Sequence, residues 1–363
     1  MRKFCIFCGE KPVDKNKEHI IPQWLIKYTG DPNRITLLGK KEGKEIKFSW
    51  LNYVFPACEE CNSNFGRIES QVQPILVKID NEKSVSHSEI NLFLDWLDKI
   101  RIGMWLGLAM LKNKDFEPNF FINQRVASKD RLCLIYKAND LEKGIGIIGA
   151  DTPVFEQTPS CFSIIINNMI FFNYSKEFLL SKNIGFPYPD DYTYNLSMEI
   201  NINKFVPGKY KVNFPIIDGK IIKPTIKLYQ SILRGSHKLK KPFAGIGRKY
   251  YDSNCFIYNN NLIQSRIYLS DEQINSHAFW PKEKLINFKF KEKFERQLLF
   301  HGIVQMTLAH QNHSLVETLN RFDEITDAEE KIIFNKFHKE ILDLNNEKIF
   351  EINEATKGFY LVV

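Results

Sequence analysis

A chain of 363 residues, 44% of them hydrophobic, is long enough for two or three domains and a large buried core. Its longest apolar run, Ile102 to Leu111, is too short to span a bilayer, and Met1-Arg2-Lys3-Phe4-Cys5 opens without an apolar leader, so no membrane partner is expected and the expected location is cytoplasmic. A net charge of +7 permits nucleic-acid binding without requiring it.

In chain order, the first 80 residues carry the densest chemistry. Cys5 and Cys8 form one Cys-x-x-Cys pair, and Cys58 and Cys61 form another. Each pair places two thiolates on one ion, and two pairs complete a tetrahedral Zn2+ shell. Such a shell is closed and structural, so any reaction falls to the residues it holds in place. Gly9 follows the first pair, where a knuckle needs a tight turn. The three remaining cysteines, Cys133, Cys161 and Cys255, are odd in number and far apart, which fits buried thiols in a reducing compartment rather than a disulfide framework. Glu18-His19-Ile20-Ile21-Pro22 lies between the pairs, and Asn62 directly follows the last cysteine. The segment from Glu18 to Tyr28 reads as a strand that becomes a short helix after Pro22. Ile35–Leu38 and Ile46–Leu51 read as a hairpin. Phe65, Ile68, Val72 and Leu76 recur at helical spacing and predict a helix from Asn62 to about Ile79, with Pro74 inside it.

At these residues the sequence resembles the HNH endonuclease family in its zinc-stapled form. The resemblance covers about the first fifth of the chain. It implies an α+β protein whose residues 1–80 form a ββα-metal, treble-clef-like nuclease module. The family's acid–His pair followed by Ile-x-Pro is matched by Glu18, His19, Ile20 and Pro22, with Glu in place of the commoner Asp. Asn62 matches the His or Asn that follows the second cysteine pair. Asn52 stands for the central asparagine, one residue early relative to Cys58. The implied roles are His19 as general base, Glu18 and Asn62 as ligands of a catalytic Mg2+ or Mn2+, and Asn52 as the residue that orients His19 or its loop. The chemistry is consistent, because an imidazole titrates near neutrality and oxygen donors suit hard cations. The implied reaction is metal-dependent hydrolysis of a phosphodiester bond in DNA, with RNA left open. By analogy with stand-alone HNH proteins that carry long additional domains, the implied role is restriction or phage defence. The alternative of a different class is a non-catalytic zinc finger that binds nucleic acid or serves as an adaptor. Glu69, beyond Asn62 on the same helix, fits a contact to the catalytic ion, a salt bridge or a solvated position.

Residues 81–363 read as a second α+β region that binds substrate, senses a signal or mediates assembly, with a homo-oligomer left open. A helix over 89–112, capped by Ser86 or Ser88, is apolar nearly all round in its second half and should be core. From 119 to 269 short β-like runs dominate. Asn167-Asn168 and Asn259-Asn260-Asn261 read as hairpin turns, and Pro187 to Asp191 reads as a loop. Arg125, Asp130 and Arg131 fit structural ion pairing. A helical end over 282–345 contains helices from Lys291 to Gln311 and from Asp327 to Leu344. His310 and His313, without an acid or cysteine beside them, read as core or surface residues rather than ligands. Between Lys220 and Tyr250 nine Lys or Arg residues occur without one acid. Lys238, Lys240, Lys241, Arg248 and Lys249 are its candidate phosphate-backbone contacts.

Overall fold

The computed structural model describes residues 4–13, 16–41, 44–113, 115–138, 143–176, 188–194, 200–206, 216–217, 220–221, 226–234, 255–258, 262–269, 272–273, 293–319 and 328–360. The basic residues Lys238, Lys240, Lys241, Arg248 and Lys249 lie outside the described residues, as does the turn at Asn259–Asn261.

The fold is mixed α+β, with a four-cysteine cluster near the N-terminus. Strand β1 (Lys17–His19) pairs antiparallel with β4 (Val54–Pro56), His19 opposite Val54. Between them run α1 (Gln23–Tyr28), the hairpin of β2 (Ile35–Lys41) and β3 (Lys44–Ser49), and a 3-10 turn, Trp50–Asn52. Helix α2 (Glu59–Asp80) follows directly. It starts one turn earlier than the apolar spacing predicts, because Glu59 and Glu60 suit the positive end of the helix dipole. Pro74 lies inside α2 without ending it.

Helix α3 (His87–Lys112) begins with a reciprocal cap. The Ser86 hydroxyl accepts from the Glu89 N–H, and the Glu89 carboxylate accepts from the Ser86 N–H at 2.7 Å. Short helix α4 (Ile122–Arg125) leads into β5 (Asp130–Lys137), β6 (Ile145–Ile148), α5 (Pro153–Gln157), β7 (Cys161–Ile166) and β8 (Met169–Lys176). β9 (Tyr188–Tyr194) pairs with β10 (Ile200–Val206), and β11 (Ile216–Ile217) with β12 (Lys220–Ile221), as separate two-stranded ribbons. β13 (Ile226–Arg234), β14 (Cys255–Tyr258) and β15 (Leu262–Leu269) join β5 to β8 in one antiparallel sheet of order β14-β15-β13-β5-β8-β7-β6, with β16 (Glu272–Gln273) on β15. Helices α6 (Lys293–Leu319) and α7 (Ala328–Tyr360) end the described chain.

Both faces of the sheet's centre are covered. Cys133, Ile135 and Phe171 face the core that includes α3, whereas Leu132, Leu134, Tyr136, Ile170 and Phe172 face Leu298, Leu299, Ile303 and Met306 of α6. This explains why β5, β7 and β8 read as continuous apolar runs without polar alternation. Asn167 takes a left-handed conformation (φ 53°) in the predicted β7–β8 turn.

Two expectations are corrected. Pro187 to Asp191 is not simply a loop, since β9 includes Pro189, Asp190 and Asp191 and Pro189 sits opposite Phe205. In a two-stranded ribbon a proline can face away from the ladder, so its missing N–H is tolerated. The C-terminal helix also runs past Leu344 to Tyr360, because no proline interrupts that segment and its first glycine is Gly358.

Candidate metal centre and adjoining histidine site

Gly9 sits at φ 86°, and a Cβ there would lie 2.2 Å from the ring of Phe121. The turn therefore needs glycine both for its conformation and for the close approach of α4's leading residue. The Sγ atoms of Cys5, Cys8, Cys58 and Cys61 all lie within 4.8 Å of one another. Cys8 and Cys58 are separated by 3.6 Å. Zinc–sulfur bonds of about 2.3 Å in a tetrahedron imply sulfur–sulfur distances of about 3.8 Å, so the four cysteines are positioned to bind a metal ion, consistent with structural zinc. Among the described residues no other group of three or more His, Cys, Asp or Glu side chains is so placed.

Burial opposes ionisation of Cys5, but backbone hydrogen bonds from Cys58, Cys8 and Phe7 outweigh it and hold its thiol below the ordinary value. Burial and neighbouring sulfurs push Cys58 well up, and Cys61 up to about 12. A bound cation reverses that crowding by deprotonating the thiols outright. Support also comes from beyond residue 80. The backbone N–H groups of Ile122 and Asn123 donate to the carbonyls of Ile6 and Phe7 at 3.3 and 2.9 Å.

Strand β1 carries Glu18 and His19 past the first turn of α2. His19 is half-buried. Its imidazole hydrogen-bonds the Leu51 backbone, and its Nε2 lies 3.3 Å from Gln23 Nε2. Burial holds its pKa below the ordinary value despite the attraction of Glu18 and the Leu51 bond, and Lys99 pushes it the same way. The ring is therefore neutral near pH 7, the state a general base requires. Asn62, in the first turn of α2, donates its amide N–H to Asn16 Oδ1 at 3.0 Å and to the Lys17 carbonyl at 3.4 Å. Its carbonyl oxygen is the atom left to meet a cation. Asn52 is exposed on the 3-10 turn, one residue past the Leu51 backbone that holds His19. Tyr53 beside it is buried, and its hydroxyl donates to the Met104 carbonyl at 3.2 Å. Asn62 thus reaches the backbone of β1 next to Glu18 and His19, and Asn52 follows the Leu51 backbone that holds His19.

The sequence reading missed Lys99. Its side chain is fully buried, and its ammonium sits 2.5 Å from Glu18 Oε1 and 2.7 Å from Glu69 Oε1. It also donates to the His19 and Ile20 carbonyls at 3.2 and 3.1 Å. The Glu18 contact is a close ion pair without hydrogen-bond alignment. Glu69 is therefore a salt-bridge partner. Burial pushes its pKa up, while Lys99 pulls it down. A signal was present: Asp95, Asp98, Lys99 and Arg101 interrupt an otherwise apolar helix, and ionised groups at core positions are retained only with partners. Compared with known proteins, the chain matches no family model, no curated protein and no solved structure.

Proposed function

We propose that the chain is a metal-dependent endonuclease of HNH type that hydrolyses phosphodiester bonds, with DNA as substrate and restriction or phage defence as its setting. One observation carries the reading. A half-buried His19, neutral near pH 7 and held by the Leu51 backbone, directly follows Glu18 on β1, and the Lys17 carbonyl of the same strand accepts from Asn62 in the first turn of α2. In this reading His19 takes the proton of the attacking water, and the Leu51 contact fixes its ring orientation. Glu18 and Asn62 supply carboxylate and amide oxygens, donors suited to Mg2+ or Mn2+. A bound divalent ion would neutralise charge at the scissile phosphate. Lys99 holds one Glu18 oxygen, so the other is the proposed ligand atom. Cys5, Cys8, Cys58 and Cys61 would hold zinc, and a bound ion would tie the turn before β1 to the start of α2.

A non-catalytic, nucleic-acid-binding zinc module is the second reading. The observation that favours it is the same Lys99–Glu18 pair, which commits a proposed metal ligand to a structural contact. Supercoiled plasmid incubated with the full chain and Mg2+ or Mn2+ separates the two. The nuclease reading expects nicking that vanishes when the divalent ion is omitted. It also expects an Asn62→Ala defect that partly recovers as Mn2+ is raised. DNA binding with no nicking under any of these conditions supports the second reading.

A further inference from the structure

Helix α4 lies outside residues 1–80, yet it is laid against the turn that carries Cys5 and Cys8. The backbone N–H groups of Ile122 and Asn123 donate to the carbonyls of Ile6 and Phe7, the two residues between those cysteines. Phe121 meets Phe4 edge-on, with ring centres 5.4 Å apart, and fills the space that a Cβ on Gly9 would need. These contacts bring the Asn123 side chain to the cluster, where its amide nitrogen donates to Cys61 Sγ at 3.9 Å. We infer that Asn123 is a positioning residue of the metal centre, a hydrogen-bond donor to the Cys61 thiolate that helps the four cysteines keep their ion. The inference rests on the reading that Cys5, Cys8, Cys58 and Cys61 hold zinc.

The chemistry of the cluster calls for such a donor. Four thiolates around Zn2+ carry more negative charge than the ion cancels. N–H groups directed at the sulfurs stabilise the ionised form and offset that excess. Cys5 has one from the backbone, since the Cys58 N–H donates to its Sγ at 3.3 Å. Cys61, in the first turn of α2, receives one from a different element, the Asn123 amide. Capping of α4 does not account for that amide. The start of α4 is closed by Gln124, whose side-chain oxygen accepts from the Phe121 N–H at 2.9 Å.

The full chain loaded with Co2+ in place of zinc tests this. Sulfur-to-cobalt charge-transfer absorption reports on the thiolate electrons, whose energy rises when a hydrogen bond to sulfur is lost. Asn123→Ala should keep one Co2+ per chain but move the band to longer wavelength. Its zinc affinity, measured by competition with a chromophoric chelator, should fall about tenfold. Asn123→Asp matches the native side chain in size but sets an acceptor against the thiolate, and should weaken zinc further, by up to about 100-fold.

An Asn123→Ala band at the wild-type wavelength overturns the inference even if affinity falls, because loosened docking of α4 lowers affinity without removing a bond to sulfur. An Asp variant that holds zinc as tightly as the wild type overturns it as well. A wild-type chain with no sulfur-to-cobalt band overturns the four-cysteine reading and this inference with it, so the two failures are told apart.

Discussion

Helix α3 serves two regions with opposite charges. Toward the cysteine module it offers a cation, Lys99, which holds Glu18 of β1 and Glu69 of α2. Toward the large sheet it offers anions, Asp95 and Asp98, which hold Arg131 of β5, itself bonded to Asn91 and Gln230. The sheet region has long strands and two covered faces, so the arginine network adds specificity to a core that hydrophobic burial already stabilises. In the module the β1–β4 pair is only three residues long, and the buried apolar side chains of residues 5–79 belong to one cluster with those of α3. We expect its order to rest on docking to α3 and on a metal ion bound at the four cysteines. Glycines make that docking close: a Cβ on Gly103 would lie 2.8 Å from Ile20, and one on Gly107 2.5 Å from the Tyr53 hydroxyl.

If metal is the module's main support, Cys58→Ser gives the largest effect. Structural zinc contributes on the order of 10 kcal/mol, so the variant should lose zinc and hydrogen-exchange protection across residues 5–80 while the sheet stays protected. Elemental analysis and exchange mass spectrometry read both halves. Uniform loss of protection in both regions would break the comparison.

Lys99→Met should come next. It leaves two buried carboxylates without their cation, which costs about 3–5 kcal/mol. The opening should be confined to β1 and α2, whereas Arg131→Met should open the sheet. Denaturant melts with exchange readout check this.

Acid sharpens the contrast from the sheet side. Burial holds the His310 pKa near 4, below its ordinary 6.5, against the pull of its bond to the Met306 carbonyl; His313 lowers it further. The unfolded chain therefore binds the extra proton between those values, and stability should fall as pH drops from 6.5 toward 4, by on the order of 3 kcal/mol in total. His310→Gln should flatten that slope in thermal melts across the window. A slope that His310→Gln leaves unchanged would remove His310 from the account. The smallest effect expected is that of Gly107→Ala. Overpacking against Tyr53 and Phe55 should cost about 1–3 kcal/mol and loosen the module alone.

What the sequence made legible follows the same division. The cysteine spacing, a cap at Ser86 or Ser88 and the β7–β8 hairpin depend on local patterns, and each has its structural counterpart, the cap being Ser86. Lys99 and the Arg131 network were not legible as partners, because their contacts join residues 30 to 99 positions apart. The chain shows that a charge lies on a buried helix, but not what faces it. The same holds for α4, whose Asn123 backbone N–H bonds the Phe7 carbonyl of the cysteine turn from outside the first 80 residues. For the basic residues 238–249 the reading remains one of composition.

We propose His19 as a base served by the fold around it rather than a structural histidine. Cleavage of plasmid DNA at saturating Mn2+ by the wild-type chain and by His19→Ala, with zinc content and DNA affinity measured on the same preparations, tests it most directly. His19→Ala should keep its full zinc and its DNA affinity and cut more slowly by about 10²–10⁴-fold, a loss that no added metal restores. A His19→Ala variant that cuts at the wild-type rate would contradict it.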